Sequence, residues 1–228
     1  MSRCGRFGAM SNAARFISVS SSGAMTQTIH LVRHGEVENP IGIIYGRLPG
    51  FHLSARGQRQ AEAAARRLAD ADIGTIWSSP MERAQETAAA IAAVHGIDIT
   101  TDDRLLESTS AFEGVGRTAY ALLRNPRHWW QLRNPMKPSW GESYSDIRAR
   151  MTSAISDAMA IADGREVVIV SHQTPTIVAR NSLARRRVPP WLPFTPCQTG
   201  SVTTLVVEEG KVLSASYFAP PERSEGQD

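Results

Sequence analysis

Two arginines and two histidines are the side chains of this 228-residue sequence whose types and positions suggest a reaction: Arg33, His34, Arg83 and His172. Arginine forks match the oxygens of a tetrahedral dianion such as phosphate, and a neutral imidazole is an effective nucleophile without an activating base. Nearby arginines also disfavour protonation of His34, which keeps its lone pair available. These residue types predict a phosphoryl group as the ligand and His34 as the residue that accepts it.

The two histidines are predicted to follow strands. Residues 28–32 form a β-rich run directly before Arg33 and His34. Residues 166–171 contain a continuous apolar run, typical of a strand buried on both faces, and His172 comes next. The carboxyl ends of parallel strands share one edge of a sheet, and ligands bind there, so the two histidines are expected to meet at that edge.

The second arginine is predicted to lie at the start of a helix. A short strand over residues 75–77 precedes the run Ser-Pro-Met-Glu, in which Ser79 is the predicted N-cap and proline takes the first helical position. Arg83 then lies in the first turn, where free backbone amides and the helix dipole favour an anion. The helix is predicted to end before Gly96.

The rest of the chain alternates helical and β-rich patterns. Ser54 is a predicted N-cap, residues 145–162 carry a helical apolar stripe, and Thr174 followed by proline predicts another helix start. Residues 201–207 and 211–218 are predicted to form an antiparallel hairpin. Together these patterns predict an α/β fold with three layers, α/β/α, around a mainly parallel central sheet.

Composition and charge exclude several classes of protein. Three arginines in residues 1–24 account for the formal net charge of +3, so the rest of the chain is neutral and nucleic acid binding is not supported. The arginine run 185–187 is interpreted as a solvated helix end. No stretch approaches the roughly 18 apolar residues of a membrane span. The two cysteines, Cys4 and Cys197, exclude a disulfide framework, and a cytoplasmic location is expected.

One domain is expected over residues 26–219. Residues 1–25 are rich in Ser, Ala, Gly and Arg and are predicted to be a disordered extension, with a transit segment and a misassigned start at Met25 both left open. Residues 108–140, which contain three tryptophans, are predicted to form a small cap or insertion whose fold the pattern does not define. Residues 220–228 are predicted to be a flexible tail.

Four blocks of sequence occur in one order along the chain: Arg33-His34-Gly35, residues 46–60, residues 78–87 and Ser171-His172. In this order they resemble the blocks of the histidine phosphatase superfamily, also called the phosphoglycerate-mutase-like family. The resemblance covers roughly residues 28–218 and implies a phosphoglycerate-mutase-like fold.

The resemblance also implies roles for the matching residues. His34 would be phosphorylated, and the phosphoryl oxygens would be held by Arg33, Arg83, His172 and backbone amides near Gly35 and Gln173. Glu107 corresponds to the family's acid, which would protonate the leaving alkoxide and then deprotonate water. Other acids in predicted loops are Glu36, Glu113 and Glu142.

The sequence departs from the family pattern beside His34. Val37 and Pro40 stand where Thr or Ser and an Asn are usual, and Asn39, one residue early, is the candidate for the asparagine that binds phosphate. Gln173 stands where a glycine often follows the second histidine.

These residues predict a phosphomonoester phosphatase that acts through a phosphohistidine at His34, with Glu107 as general acid and base. Hydrolysis is favoured because the segment between Glu107 and Gly141 lacks a clear match to the extended basic substrate loop of cofactor-dependent mutases. A phosphoglycerate mutase, with 2,3-bisphosphoglycerate as its cofactor, is the near alternative. An inactive module that binds a phosphorylated ligand is the alternative of another class.

The expected partner is a small phosphorylated substrate, with no nucleic acid and no membrane. No further cofactor and no metal are expected, because His30 and His34 lie four apart on a strand rather than on a helix and no carboxylate or cysteine cluster completes a site. The physiological substrate and the oligomeric state are left open, a homodimer included.

Overall fold

The computed structural model describes residues 26–116, 118, 141–188 and 195–221. The predicted N-terminal extension over residues 1–25, most of the predicted cap over 108–140 and residues 222–228 of the predicted tail lie outside the described residues.

Among the described residues, six strands form one sheet: β1 (Thr26–Arg33), β2 (Ile73–Ser78), β3 (Ile99–Thr101), β4 (Glu166–Ser171), β5 (Val202–Glu208) and β6 (Lys211–Phe218). Their order across the sheet is β3-β2-β4-β1-β5-β6. Strands β1 to β4 pair in parallel, whereas β5 and β6 are antiparallel additions next to β1. The prediction of an α/β fold with a mainly parallel sheet is confirmed.

Helices cover both faces of this sheet: α1 (Ala55–Leu68), α2 (Glu82–His95), α3 (Tyr144–Ala162) and α4 (Gln173–Leu183), with a 3₁₀ turn at Asp103–Leu105. Helices α1 and α2 pack on one face and α3 and α4 on the other, each pair over its own apolar cluster. Strand β4 contributes to both clusters: Val168 and Val170 point to α1 and α2, and Ile169 points to α3 and α4. Its continuous apolar run is therefore explained by burial on two faces, as predicted.

The starts of two helices agree with the sequence prediction to within one residue, and the starts of the other two differ. Ser54 caps α1 by accepting a hydrogen bond from the Gly57 amide at 3.0 Å. Helix α2 begins after Met81, which provides no side-chain cap, so the prediction that Ser79 is the N-cap is wrong. Ser143 caps α3, which begins at Tyr144, one residue before the predicted start at residue 145. Helix α4 begins directly after His172, and the predicted start at Thr174 is therefore also wrong.

The two edges of the sheet differ in how well they were predicted. Strand β3 was not predicted, because three half-buried or exposed residues give no alternating pattern. The predicted hairpin of β5 and β6 is confirmed, and Glu209 and Gly210, with φ of 47° and 70°, form its two-residue turn. Positive φ at both central residues matches the right-handed twist of the flanking strands. No helix within the described ranges is both long and apolar enough to cross a membrane.

Candidate active site

The carboxyl ends of β1, β2 and β4 meet at one edge of the sheet. Arg33 pairs with Ser171, and Ser78 pairs with Val170, so the next residue of each strand emerges at the same level. The His34 amide donates to the Ser171 carbonyl at 3.0 Å, and this hydrogen bond continues the parallel pairing one residue into the loop. The register therefore brings the residues after three separate strands into one cluster, as the sequence predicted.

His34 lies in the centre of this cluster with 2% of its surface exposed. Its Nδ1 donates to the Gly35 carbonyl at 2.7 Å, so Nε2 carries the lone pair. Burial, together with the charges of Arg33 and Arg83, holds the pKa of His34 well below its usual range. The imidazole is therefore neutral and oriented, with Nε2 as its nucleophilic atom.

The backbone after His34 is held in place by a close approach to helix α1. A Cβ atom at Gly35 would collide with the Gly57 carbonyl, and a Cβ atom at Gly57 would collide with the carbonyl of Glu36. The Gly35 amide donates to Thr87 Oγ1 on helix α2 at 3.1 Å. Both glycines are needed because backbone packs directly on backbone at this point, and the contact places the His34 loop against α1.

Two guanidiniums lie beside His34 with unused donors. Arg83 is fully buried, and its Nη2 donates to the Gly46 carbonyl at 2.7 Å. Within the described chain, its Nε and Nη1 have no hydrogen-bond acceptor, and neither does the buried Nε of Arg33. Nη1 of Arg33 donates to the Cys197 carbonyl at 2.5 Å. Buried donors without acceptors are costly, so these nitrogens suit an anion that enters the cluster.

Tyr45 forms an aromatic wall next to these charges. Its ring lies 4.9 Å from the Arg83 guanidinium, 6.4 Å from the His34 ring and 5.1 Å from the Phe51 ring. A cation over an aromatic face is attracted to the ring quadrupole, so Tyr45 helps to hold the Arg83 side chain in position.

His172 is completely buried, and its ring centroid lies 5.1 Å from that of His34. Its Nε2 is hydrogen-bonded to Ser79 Oγ at 2.8 Å, while its Nδ1 has no partner among the described residues. Burial, followed by the charges of His34 and the arginines, holds the pKa of His172 well below its usual range. Ser79, which was predicted to cap α2, instead orients the second histidine.

Glu107 lies half-buried on the loop after the 3₁₀ turn. Its Oε1 accepts hydrogen bonds from the Ser108 amide at 2.8 Å and the Ser108 hydroxyl at 3.3 Å, and Oε2 makes none within the described residues. Burial lowers the pKa of the Arg83 guanidinium, and the charges of Tyr45 and Glu107 oppose this shift. Glu107 thus has one carboxyl oxygen held by hydrogen bonds and one without a partner among the described residues. Its charge acts on the buried guanidinium of Arg83.

The other acids that the sequence offered are engaged elsewhere. Glu142 accepts two hydrogen bonds from Arg150, at 2.7 and 2.9 Å, and one from Arg47 at 3.3 Å. Glu113 accepts from the Arg47 amide at 3.0 Å, and Arg47 Nε donates to the Glu107 carbonyl at 2.6 Å. These ion pairs and hydrogen bonds brace the backbone on which Glu107 lies.

Glu36 also has structural partners. It accepts from Ser54 Oγ at 3.2 Å and lies 3.3 Å from Arg56. Glu107 and Glu113 each have one carboxyl oxygen without a hydrogen-bond partner among the described residues, and of these two acids Glu107 is the one whose charge acts on Arg83.

The other groups that the sequence predicted to bind phosphate are Asn39, Gln173 and the Gly35 amide. Both ends of the Asn39 amide bind the backbone of Ile43, at 2.8 and 3.2 Å, so this side chain closes a local turn. Gln173 is the first residue of α4, where backbone amides have no acceptor within the helix. Phosphate contacts from Asn39, Gln173 and the Gly35 amide stay predictions.

Several residues of the cluster were not assigned by the sequence: Tyr45, Arg47, Ser79 and Thr87. Thr87 lies one turn after Arg83 on α2, and this spacing of four residues on a helix is a signal that could have identified it. The contacts of Tyr45 and Arg47 depend on how the loop between β1 and α1 folds back, and no local pattern indicates that.

Comparison with known proteins agrees with this geometry. The family described as the histidine phosphatase superfamily (branch 1) matches residues 29–218. "Uncharacterized protein Rv0525" of Mycobacterium tuberculosis is 51% identical over 194 residues, which cover 84% of this chain and 96% of that protein. "Probable phosphoglycerate mutase GpmB" of Escherichia fergusonii is 34% identical over 149 residues, or 63% of this chain and 68% of that protein.

A solved structure shows the same fold. The native structure of mycobacterial glucosyl-3-phosphoglycerate phosphatase Rv2419c matches with a TM-score of 0.67 and 25% identity, covering 85% of this chain and 98% of that chain. The family match spans both histidines, both arginines and the whole sheet from β1 to β6 apart from its first residues. This chain therefore belongs to the histidine phosphatase superfamily, branch 1.

Proposed function

We propose that this protein is a phosphomonoester phosphatase that transfers the phosphoryl group first to His34 and then to water. The observation that carries the proposal is the state of His34: a buried, neutral imidazole whose Nδ1 is bound to the Gly35 carbonyl, leaving Nε2 for attack. The unused donors of Arg33 and Arg83 are suited to the charge that develops on the phosphoryl oxygens.

The reaction has two balanced steps. In the first, His34 Nε2 forms a bond to phosphorus, the bond from phosphorus to the substrate oxygen breaks, and Glu107 gives its proton to that oxygen. In the second, Glu107 takes a proton from water, whose oxygen displaces the histidine and releases inorganic phosphate. The unused Oε2 of Glu107 is the atom assigned to both proton transfers.

Membership of this family is compatible with both hydrolysis and mutase activity. The solved structure of a glucosyl-3-phosphoglycerate phosphatase supports hydrolysis, whereas the relative named as a phosphoglycerate mutase supports transfer back to a substrate. Both activities share the phosphohistidine, and they differ in which acceptor reaches it. A binding module without activity would have no use for the acid at Glu107.

The first test compares wild type with His34→Ala, in the presence of a chelator and with an aryl phosphate as substrate. We expect turnover to disappear in the variant and an acid-labile phosphoryl adduct to form in wild type alone. His95→Ala is the matched control, because His95 ends α2 about 18 Å along the helix from Arg83. Turnover in His34→Ala equal to wild type would overturn the assignment of the nucleophile.

The second test separates the three functions. Wild type is incubated with 3-phosphoglycerate, with and without 2,3-bisphosphoglycerate, and both released phosphate and isomerised product are measured. Hydrolysis that exceeds isomerisation supports the phosphatase. Isomerisation that the bisphosphate stimulates above hydrolysis would establish the mutase, and no turnover of any phosphoester would establish a binding module.

The third test addresses Glu107. Glu107→Gln should lower kcat by about 10²- to 10⁴-fold for an alkyl phosphate, whose leaving group needs a proton. The loss should be much smaller for a nitrophenyl phosphate, whose leaving group does not. An equal loss for both substrates would mean that Glu107 supports the fold of the site rather than proton transfer.

A further inference from the structure

A second cluster of positive charge lies away from the residues of the candidate active site. The N-terminal end of α3 and the segment after α4 enclose an open cavity of about 640 Å³, and four arginines line it: Arg148, Arg185, Arg186 and Arg187. Tyr144 and Ser182 also line it, and none of its described lining residues is a carboxylate. A volume of this size is typical of sites for small molecules.

The described part of the chain provides no ion-pair partner for the arginines of this cavity. Within residues 26–116, 118, 141–188 and 195–221, none of the four guanidiniums forms an ion pair with Asp or Glu. All four arginines are exposed, so water screens much of their mutual repulsion, and a bound anion would relieve the part that remains. The Ser182 hydroxyl is shielded from water and has no partner among the described residues, so it offers a further polar group to a ligand.

The backbone supports this arrangement. Helix α4 ends with the Arg185 amide donating to the Ser182 carbonyl at 3.0 Å and the Arg186 amide donating to the Asn181 carbonyl at 2.8 Å. This closure needs a left-handed residue, usually glycine, but Arg185 occupies that position with φ of 52°. The chain thus turns sharply at Arg185, although this backbone conformation disfavours a residue with a side chain. The turn brings three successive arginines to the cavity.

A solvated helix end explains only part of this cluster. Arginines beyond the C-terminus of α4 are favoured by the helix dipole whether or not a ligand binds. Arg148 is different, because it lies near the N-terminal end of α3, where the dipole gives a cation no advantage. Its presence opposite the arginine run is explained by a shared anionic ligand.

We propose that this cavity binds a small anion with two or more phosphate or carboxylate groups, at a site separate from His34. Several arginine forks can each bind one anionic group, which requires a ligand of multiple charge. A nucleic acid is disfavoured because the chain beyond residue 24 carries equal numbers of acidic and basic residues. This inference does not depend on the proposed phosphatase activity.

The test measures binding of tripolyphosphate and citrate by calorimetry to wild type, Arg148→Ala/Arg186→Ala and Arg66→Ala/Arg67→Ala. The last variant is the matched control, because it removes two arginines from the last turn of α1, which does not line the cavity. We expect the first variant to weaken one binding event at least tenfold and the control to change it less than threefold. The better of the two probes identifies phosphate or carboxylate as the preferred group.

A parallel measurement separates this cavity from the active site. Inhibition of aryl phosphate hydrolysis by tripolyphosphate should be the same in wild type and in Arg148→Ala/Arg186→Ala, with kcat unchanged. A binding loss accompanied by an equal loss of inhibition, or unchanged binding in the variant, would overturn the proposal. Tighter, arginine-dependent binding of a single-stranded RNA or of phosphatidylserine vesicles would overturn the assignment to a small molecule. Calorimetry needs no turnover, so failure of the proposed phosphatase activity would leave this result intact.

Discussion

Ser79 shows how one hydroxyl can prepare a neighbouring side chain for phosphoryl transfer. Its Oγ is hydrogen-bonded to Nε2 of His172 at 2.8 Å, and both residues are completely buried. The hydrogen bond selects the ring orientation and leaves Nδ1 as the other polar atom of the imidazole. We therefore assign Ser79 as a positioning residue for His172.

Replacement of this serine should reduce turnover more than substrate binding. Ser79→Ala is expected to lower kcat about tenfold, because a lost buried hydrogen bond costs roughly 1–2 kcal/mol. Steady-state kinetics with an aryl phosphate measures kcat and KM separately. Ser78→Ala is the matched control, since the Ser78 hydroxyl is buried one residue away and donates to the Ser79 carbonyl. Equal kinetics for the two variants would refute the positioning role.

The neutral state of the two histidines predicts an unusual pH dependence. Burial lowers the pKa of both rings well below 6.5, and the arginines add to the shift. Below pH 6.5 the unfolded chain therefore binds more protons at these histidines than the folded chain does. Their contribution makes the free energy of unfolding decrease as pH falls from 6.5 towards the folded pKa, and it has no effect above 6.5.

The same shift should appear in catalysis. We expect kcat/KM to stay constant as pH falls through 6.5 and to decrease only well below it, as measured by a pH–rate profile. His52→Ala is the control, because the pKa of this exposed histidine is raised by its hydrogen bond to Glu86 and its titration is unrelated to the nucleophile. An acidic limb centred near pH 6.5 in the kcat/KM profiles of both wild type and His52→Ala would show that the imidazole is not held neutral.

At the scale of elements, the contact between the His34 loop and helix α1 depends on Gly35 and Gly57. A glycine-to-alanine change inside a helix ordinarily stabilises a protein by roughly 0.5–1 kcal/mol. At Gly57 the added methyl group would collide with the Glu36 carbonyl, and backbone cannot move aside as a flexible side chain can. The steric cost should therefore exceed the gain in helix propensity.

Gly57→Ala should lower the free energy of unfolding by about 1–3 kcal/mol. Denaturant unfolding measures this change, and Gln58→Ala, an exposed substitution in the same turn, is expected to be neutral. A Gly57→Ala protein more stable than wild type would show that the loop and helix can separate at little cost.

The elements also show what local sequence can and cannot predict. The apolar run of β4 and the Ser54 cap were predicted because burial on two faces and N-capping both leave local patterns. The start of α2 was predicted wrongly because Ser79 binds His172 instead of capping the helix. The start of α4 was predicted wrongly because the helix begins directly after His172, at the end of β4. Asn39 resembled a ligand by position, but its amide binds Ile43, a contact that depends on the turn of the loop.

At the scale of the whole molecule, the apolar clusters on both faces of the sheet are built from residues 29–207. A chain that begins at Met25 should therefore fold, with a free energy of unfolding within about 0.5 kcal/mol of the full chain and with the same kcat. Thermal unfolding and aryl phosphate turnover measure both. A chain that begins at Leu31 lacks the fully buried Ile29 and should not fold. Loss of folding in the chain from Met25 would contradict the predicted domain boundary.

The fold also explains why four residues could be predicted from the sequence to lie in one cluster: Arg33, His34, Arg83 and His172. Parallel pairing of β1, β2 and β4 requires that residues after each strand emerge at one edge, whatever loops follow. The position of Glu107 could not be predicted this way, because its loop is braced by Arg47, Glu142 and Arg150 through contacts distant in sequence.

The unused nitrogens of the buried Arg83 have a consequence for how the enzyme finishes its cycle. Each turnover of the proposed reaction ends with inorganic phosphate among donors that the described chain leaves unsatisfied, so the product satisfies them as well as the substrate does. Inorganic phosphate should consequently be a competitive inhibitor, which raises the apparent KM for the substrate and leaves kcat unchanged. The concentration of phosphate around the protein would then control its activity without a separate regulator.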